Sequence, residues 1–173
     1  MLQPKNSRGC AEGTLKSLLA NSRKIGKFPK VWYNRRDFIL YSSMPTLLIT
    51  DDDAEFRETL RDVFEPEGFS TFLAEDGLEA FEIVCTAPVN LVLLDMHMPR
   101  LNGVETIRRV HEVKPELPCI LLSAALDERI IQAAEEVFAF SVLRKPCSRR
   151  QLTTLVYRAL ECDEFNRVGG RRG

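Results

Sequence analysis

Residues 91–95 read Leu-Val-Leu-Leu-Asp, four apolar residues in a row closed by a carboxylate. The run is short and shows no polar alternation, so it reads as a strand buried on both faces. Such strands belong to parallel sheets covered by helices on either side. The same shape recurs along the chain. Upstream, Thr46-Leu-Leu-Ile-Thr50 leads into Asp51-Asp52-Asp53, and downstream Cys119-Ile-Leu-Leu122 leads into Ser123. Weaker runs at 69–73 and 140–143 complete a set of five strands.

Helical patterns fill the intervals. Phe56, Leu60, Val63 and Phe64 repeat at helical spacing over 54–64, and Pro66 and Gly68 stop them. The segment 76–87 carries Leu78, Phe81, Ile83 and Val84 as its apolar side. Helices are also expected over 104–113, before Pro115 and Pro118, and over 127–137. A fifth begins at Ser148, with Leu152, Leu155, Val156 and Leu160 on one side. Strands alternating with helices make parallel βαβ units. The expected fold is α/β, a doubly wound five-stranded parallel sheet with five helices, spanning 45–162. Residues 163–173, rich in glycine at their end, are expected to form a flexible tail.

The chain has 173 residues and a formal charge of -1, with 24 Lys+Arg against 25 Asp+Glu. The near balance hides an uneven distribution. Residues 1–44 carry +7 and lack a sustained period, which predicts a basic, disordered extension. Met44-Pro-Thr-Leu-Leu-Ile also reads as a natural beginning, so Met44 is a candidate true start. The segment 45–162 carries -9, which argues against direct DNA binding by that part. No apolar run approaches the ~18 residues that span a bilayer, and no secretory leader is visible, so a cytoplasmic protein is expected. Five scattered cysteines form no C-x-x-C pair, and Cys85 and Cys119 are expected as small core residues.

In doubly wound sheets, functional groups gather at the carboxyl ends of the strands. Four of the five strands end in polar groups: Asp51-Asp52-Asp53, Asp95, Ser123 and Lys145-Pro146. The second ends at Ala74 and reads as peripheral. Asp53 has the character of a helix N-cap. Asp51, Asp52 and Asp95 would converge, and like charges so close need compensation. Lys145 supplies one positive charge. The remainder matches a divalent cation, and a hard-oxygen site with open positions suits Mg²⁺ and phosphate. Such a site predicts phosphoryl chemistry with a carboxylate nucleophile.

These motifs resemble the receiver domains of two-component response regulators. The likeness rests on Ile49-Thr-Asp-Asp-Asp53, Leu91-Val-Leu-Leu-Asp-Met-His-Met-Pro99 with Asn102-Gly103, Ile120-Leu-Leu-Ser-Ala124 and Leu143-Arg-Lys-Pro146. It implies a flavodoxin-like sheet of strand order 2-1-3-4-5. It implies that Asp95 is the phosphoacceptor, charged by a sensor histidine kinase or histidine phosphotransfer protein. Asp51, Asp52, Asp95 and the backbone carbonyl of His97 would hold Mg²⁺. Ser123 would bond the phosphoryl group, Lys145 would pair with it, and the Lys145–Pro146 bond would be cis. The family usually has a switch aromatic three residues before the lysine; here that place holds Val142, with Phe140 two residues earlier. No output domain follows in the sequence. The expected reader is therefore a protein partner on the face of the fourth helix, fifth strand and fifth helix, made basic by Arg144, Arg149, Arg150 and Arg158.

Two other readings fit part of the pattern. A receiver-like interaction module that is never phosphorylated would use the same fold. A haloacid dehalogenase-type phosphatase would use Asp51 as nucleophile and Asp53 as general acid, but leaves Asp95 without a role. The receiver reading makes the protein a phosphoacceptor rather than a turnover enzyme.

Overall fold

In a computed structural model of the chain, residues 44–169 are described. The basic extension expected before residue 44 and the last glycines lie outside the described residues. The strands are β1 (Thr46–Thr50), β2 (Ser70–Ala74), β3 (Leu91–Asp95), β4 (Cys119–Ser123) and β5 (Ser141–Arg144). The helices are α1 (Ala54–Phe64), α2 (Gly77–Thr86), α3 (Gly103–Val113), α4 (Glu128–Glu136) and α5 (Arg149–Gly169). The sheet runs β2-β1-β3-β4-β5 with every pair parallel. The α/β class, the strand order and the helix count match the sequence-based expectation.

Each helix begins a few residues past the end of a strand, so its cap lies at the carboxyl edge of the sheet. Asp53 accepts from the Glu55 and Phe56 amides, and Asp76 accepts from Leu78 and Glu79. Asn102 and Glu105 form a reciprocal capping box on α3, and Asp127 caps α4. At the far end of α1, Pro66 opens a single 3₁₀ turn (Glu65–Glu67), and Gly68 closes it at φ 95°, where only glycine avoids a Cβ penalty. The α5 helix continues past 162, where the sequence places a flexible tail. Nothing between Arg149 and Val168 is a proline or glycine, so no residue there stops it.

Alternate strand residues build two layers of core. On one side, Leu48, Val92, Leu94 and Leu121 pack with Ala80 and Val84 of α2, Ile107 and Val110 of α3, and Ile130 and Ala134 of α4. The alternate set, Leu47, Ile49, Leu91, Leu93, Ile120 and Leu122, is equally buried. That side is covered by Leu60 and Phe64 of α1 and by Leu152, Val156 and Ala159 of α5. Phe69 joins these two helices by ring contact with Phe64 at 5.5 Å and Tyr157 at 5.6 Å. Cys119 is buried as expected, but Cys85 is exposed. Ala80 and Val84 form the inner stripe of α2, and Cys85 falls one residue off it.

Gly103 ties this packing to the carboxyl edge. A Cβ there would overlap the Asp95 carbonyl oxygen and the Leu121 side chain. The glycine is needed for close approach of α3 to the end of β3. Gly103→Ala should therefore cost about 1–3 kcal/mol of stability by overpacking, read as a lowered urea midpoint at unchanged slope.

Candidate functional site

The strand register decides which edge residues meet. Leu94 of β3 lies beside Thr50 of β1, so Asp51 and Asp95 follow on one face. Leu143 of β5 lies beside Leu122, which lies beside Asp95, so two residues on Lys145 returns to that same face. Ser123 falls on the opposite face, with Leu121 and Leu94.

The side chains agree with this register. The Lys145 ammonium donates to Asp51 Oδ2 and to Asp95 Oδ1, each at 2.5 Å. The other oxygens of both acids take backbone donors: Asp53 N–H to Asp51 Oδ1 at 3.0 Å, and His97 N–H to Asp95 Oδ2 at 2.6 Å. Asp51 is 2 % exposed and Asp95 7 % exposed, so both are carboxylates taken largely out of water. Burial pushes Asp51 above its ordinary value, against the pull of Lys145 and the Asp53 amide, and the charge on Asp95 adds a smaller push in the same direction. Burial alone would lower Lys145, but its bonds to Asp51 and Asp95 outweigh that and hold it protonated above its ordinary range.

Other predicted residues are placed differently. Asp52 is exposed, so two carboxylates converge rather than the three expected. Among the described residues, no three acidic, histidine or cysteine side chains form a ready cage. Asp53 is committed to capping α1, which removes it as the general acid of the phosphatase reading. Ser123 is fully buried, and its hydroxyl donates to the Ala125 carbonyl of its own loop rather than to Asp95. The Lys145–Pro146 bond is cis, as the resemblance implies. Val142 and Phe140 line one groove of about 300 Å³ between α4 and β5, with Leu126, Ile131 and Ala139.

Three contacts were not anticipated. Phe56, one of the apolar residues that set the period of its helix, places its ring centroid 4.2 Å from the Lys145 Nζ. Arg57 of α1 donates to the Asp51 carbonyl. In the loop after β3, Arg100 adopts a left-handed φ of 64° and pairs with Asp76, the buried cap of α2. Arg57 stands four residues past the capping Asp53, one helical turn, which is the signal that could have marked it as facing the loop.

Hard oxygen donors dominate this edge, and its two buried acids share a single ammonium. That donor set fits a hard divalent cation such as Mg²⁺. Asp51 and Asp95 could hold one; Asp52 and the His97 carbonyl, the other ligands the resemblance implies, lie on the same two loops.

Comparison with known proteins bears on the family and the fold. The family model described as response regulator receiver domain matches residues 47–157. Sporulation initiation phosphotransferase F of Bacillus subtilis is 36% identical over 100 residues, covering 58% of this chain and 81% of that protein. A homolog of the transcriptional regulatory protein CpxR from Haemophilus influenzae is 38% identical over 109 residues, covering 63% of this chain and 47% of that protein. The chain thus spans most of the first relative but under half of the second. Among solved structures, a CheY-like receiver domain protein from Methanospirillum hungatei JF-1 superposes with a TM-score of 0.69 at 23% identity. It covers 70% of this chain and 98% of that one, a likeness of fold.

A carboxylate must lose its proton to bind a metal. Because burial raises Asp51 above 3.8, Mg²⁺ binding should fade at a higher pH than an ordinary carboxylate would allow. Without metal, the folded state holds the Asp51 proton more tightly than the unfolded state. Its contribution to stability is then full below 3.8 and declines as pH rises through the raised folded value. Thermal unfolding with and without Mg²⁺ across acidic to neutral pH checks both signs. At a hundredfold excess over its dissociation constant, Mg²⁺ should add about 2.7 kcal/mol near neutral pH. Asp51→Asn should lose most of that gain.

Proposed function

The chain belongs to the response regulator receiver domain family, and on that premise we propose that Asp95 is its phosphoacceptor, charged with Mg²⁺ present by a sensor histidine kinase or histidine phosphotransfer protein. The observation that carries the reading is the Lys145 ammonium bonded at once to Asp51 and Asp95. It supports Asp95 as an acceptor because positive charge is already aimed at its carboxyl group.

In the proposed transfer, an Asp95 carboxylate oxygen attacks phosphorus. An O–P bond forms while the N–P bond to the donor histidine breaks, and that ring nitrogen leaves with the electron pair. Lys145 would stay beside the acceptor and neutralise phosphoryl oxygens. Mg²⁺, when bound, supplies charge stabilisation to those same oxygens. Asp51, Asp52, Asp95 and the His97 carbonyl would hold it. Ser123 would give up its bond to Ala125 to donate to the phosphoryl group.

The consequence would pass along the loop from Ser123 to the start of α4. The face of α4, β5 and α5 is the proposed reader surface for a protein partner. Arg144, Arg150 and Arg158 are exposed there, which suits an acidic partner, while Arg149 is engaged with Glu67. In this reading the protein stores a signal rather than turning over substrate, and works in the cytoplasm with its kinase. Among the described residues, no helix is long and apolar enough to cross a membrane.

Radiolabelled acetyl phosphate with Mg²⁺ should label the wild type and leave Asp95→Asn unlabelled. Lys145→Met should be labelled at a rate at least tenfold lower, as expected for loss of a charge aimed at the transferring group. Equal labelling of the wild type and Asp95→Asn would place the acceptor elsewhere. Labelling of neither would leave the fold as an interaction module that works without phosphorylation.

A further inference from the structure

We propose that Phe56 is a positioning residue for Lys145, the partner that lysine keeps when its two carboxylates are given over to a metal or a phosphoryl group. The inference rests on the phosphoacceptor reading above and deepens it.

The starting point is the surroundings of the ammonium. Two donors go to Asp51 and Asp95, and the ring of Phe56 lies 4.2 Å from Nζ, inside the range of cation–π attraction. The ring is placed by the same loop that carries the acids. Asp53 accepts from the Phe56 amide at 3.2 Å as it caps α1, and its own N–H donates to Asp51. The first turn of α1 therefore fixes both the acid and the ring relative to Lys145. Arg57, the next residue, donates to the Asp51 carbonyl and braces that turn.

The three contacts differ in what survives loading of the site. Asp51 and Asp95 would have to share their oxygens between Lys145 and any divalent cation they held, and the ammonium would be repelled by that charge. An aromatic face has no lone pair to offer a hard cation, which takes oxygen ligands. The Phe56 contact is thus the one among these three that metal does not compete for. Lys145 is also a long, flexible side chain with several rotatable bonds. Held against the ring, it stays within reach of Asp95. Without the ring, part of its population would swing into solvent when the carboxylates are engaged.

The proposal separates the π face from mere bulk. Phe56→Leu keeps an apolar side chain of similar reach, while Phe56→Tyr keeps the ring. In metal-free protein, the Lys145 ε-methylene protons should show an upfield ring-current shift by NMR in wild type and Phe56→Tyr, lost in Phe56→Leu. With labelled acetyl phosphate and Mg²⁺, Phe56→Leu should be phosphorylated roughly threefold to tenfold more slowly, and Phe56→Tyr within about twofold of wild type. In a Lys145→Met background, Phe56→Leu should cause no further slowing, because the ring acts through the lysine. Equal rates for the leucine and tyrosine variants would overturn the proposal. So would a leucine effect of the same size with and without Lys145, or wild-type ε-methylene protons unshifted by the ring. Failure of the wild type to label at Asp95 would instead overturn the phosphoacceptor reading, and this one with it.

Discussion

One ammonium between two buried carboxylates sets the terms for this molecule. Asp51 and Asp95 end neighbouring strands on the same face, and both are nearly out of water. Two ionised acids so close would repel strongly in a medium of low dielectric. Lys145 sits between them at 2.5 Å from each, although it comes from beyond β5, at the far edge of the sheet. That reach works because every strand is parallel and in register. Shifting the end of any one strand by a single residue would turn its polar group to the opposite face. The order of the strands and the chemistry of the edge are therefore one constraint.

The compensation is incomplete by design of the charges. Two carboxylates and one ammonium leave a negative remainder, and burial still disfavours the charged form of Asp51 despite its bonds. Removing one member of a buried charge group is expensive, whereas the complete group is close to neutral in its effect on stability. The fold carries this local disadvantage because the two apolar layers beneath it are large. Strained or partly uncompensated groups of this kind belong at functional sites. The caps follow the same logic. Asp53, Asp76, Asn102 and Asp127 spend their oxygens on helix amides at this edge, so they add polar groups without adding free acids to the site.

Much of this was legible in the sequence, for identifiable reasons. Unbroken apolar runs such as Leu91–Leu94 reveal two-sided burial, and polar residues directly after them reveal the functional edge. Asp51, Asp95 and Lys145 were found that way. The misses share a cause as well. Periodicity says which way a residue faces along its own element but not which foreign group waits there. Phe56 fits the apolar stripe of α1, and that spacing gives no sign that it meets Lys145. Cys85 was assigned to the core from its apolar neighbours, although one residue of helical rotation carries it to the surface. Asp52 directly follows the buried Asp51, but adjacent residues of an extended segment point to opposite sides, and Asp52 is exposed. The ion pair of Arg100 with Asp76 joins two loops, and no local pattern announces it.

The replacement of an aromatic residue by Val142 can now be weighed against the surrounding structure. Val142 packs against the core and lines the groove of about 300 Å³ between α4 and β5. Phe140 lines the same groove but precedes the strand, where its amide bonds to the Cys119 carbonyl. Its backbone is thus pinned to the amino end of β4, while Ser123 stands at the carboxyl end. A rotating ring at Phe140 would act at the wrong end of the strand to follow Ser123. What does connect the buried edge to α4 is short. The Ser123 hydroxyl holds the Ala125 carbonyl, Leu126 lines the groove, and Asp127 caps α4 through the Ile130 amide. Ser123 stands only four positions before the cap of the helix that walls the groove. The shortest connection along the chain between the buried edge and the wall of the groove is therefore the loop from Ser123 to Asp127, and Val142 and Phe140 lie outside it.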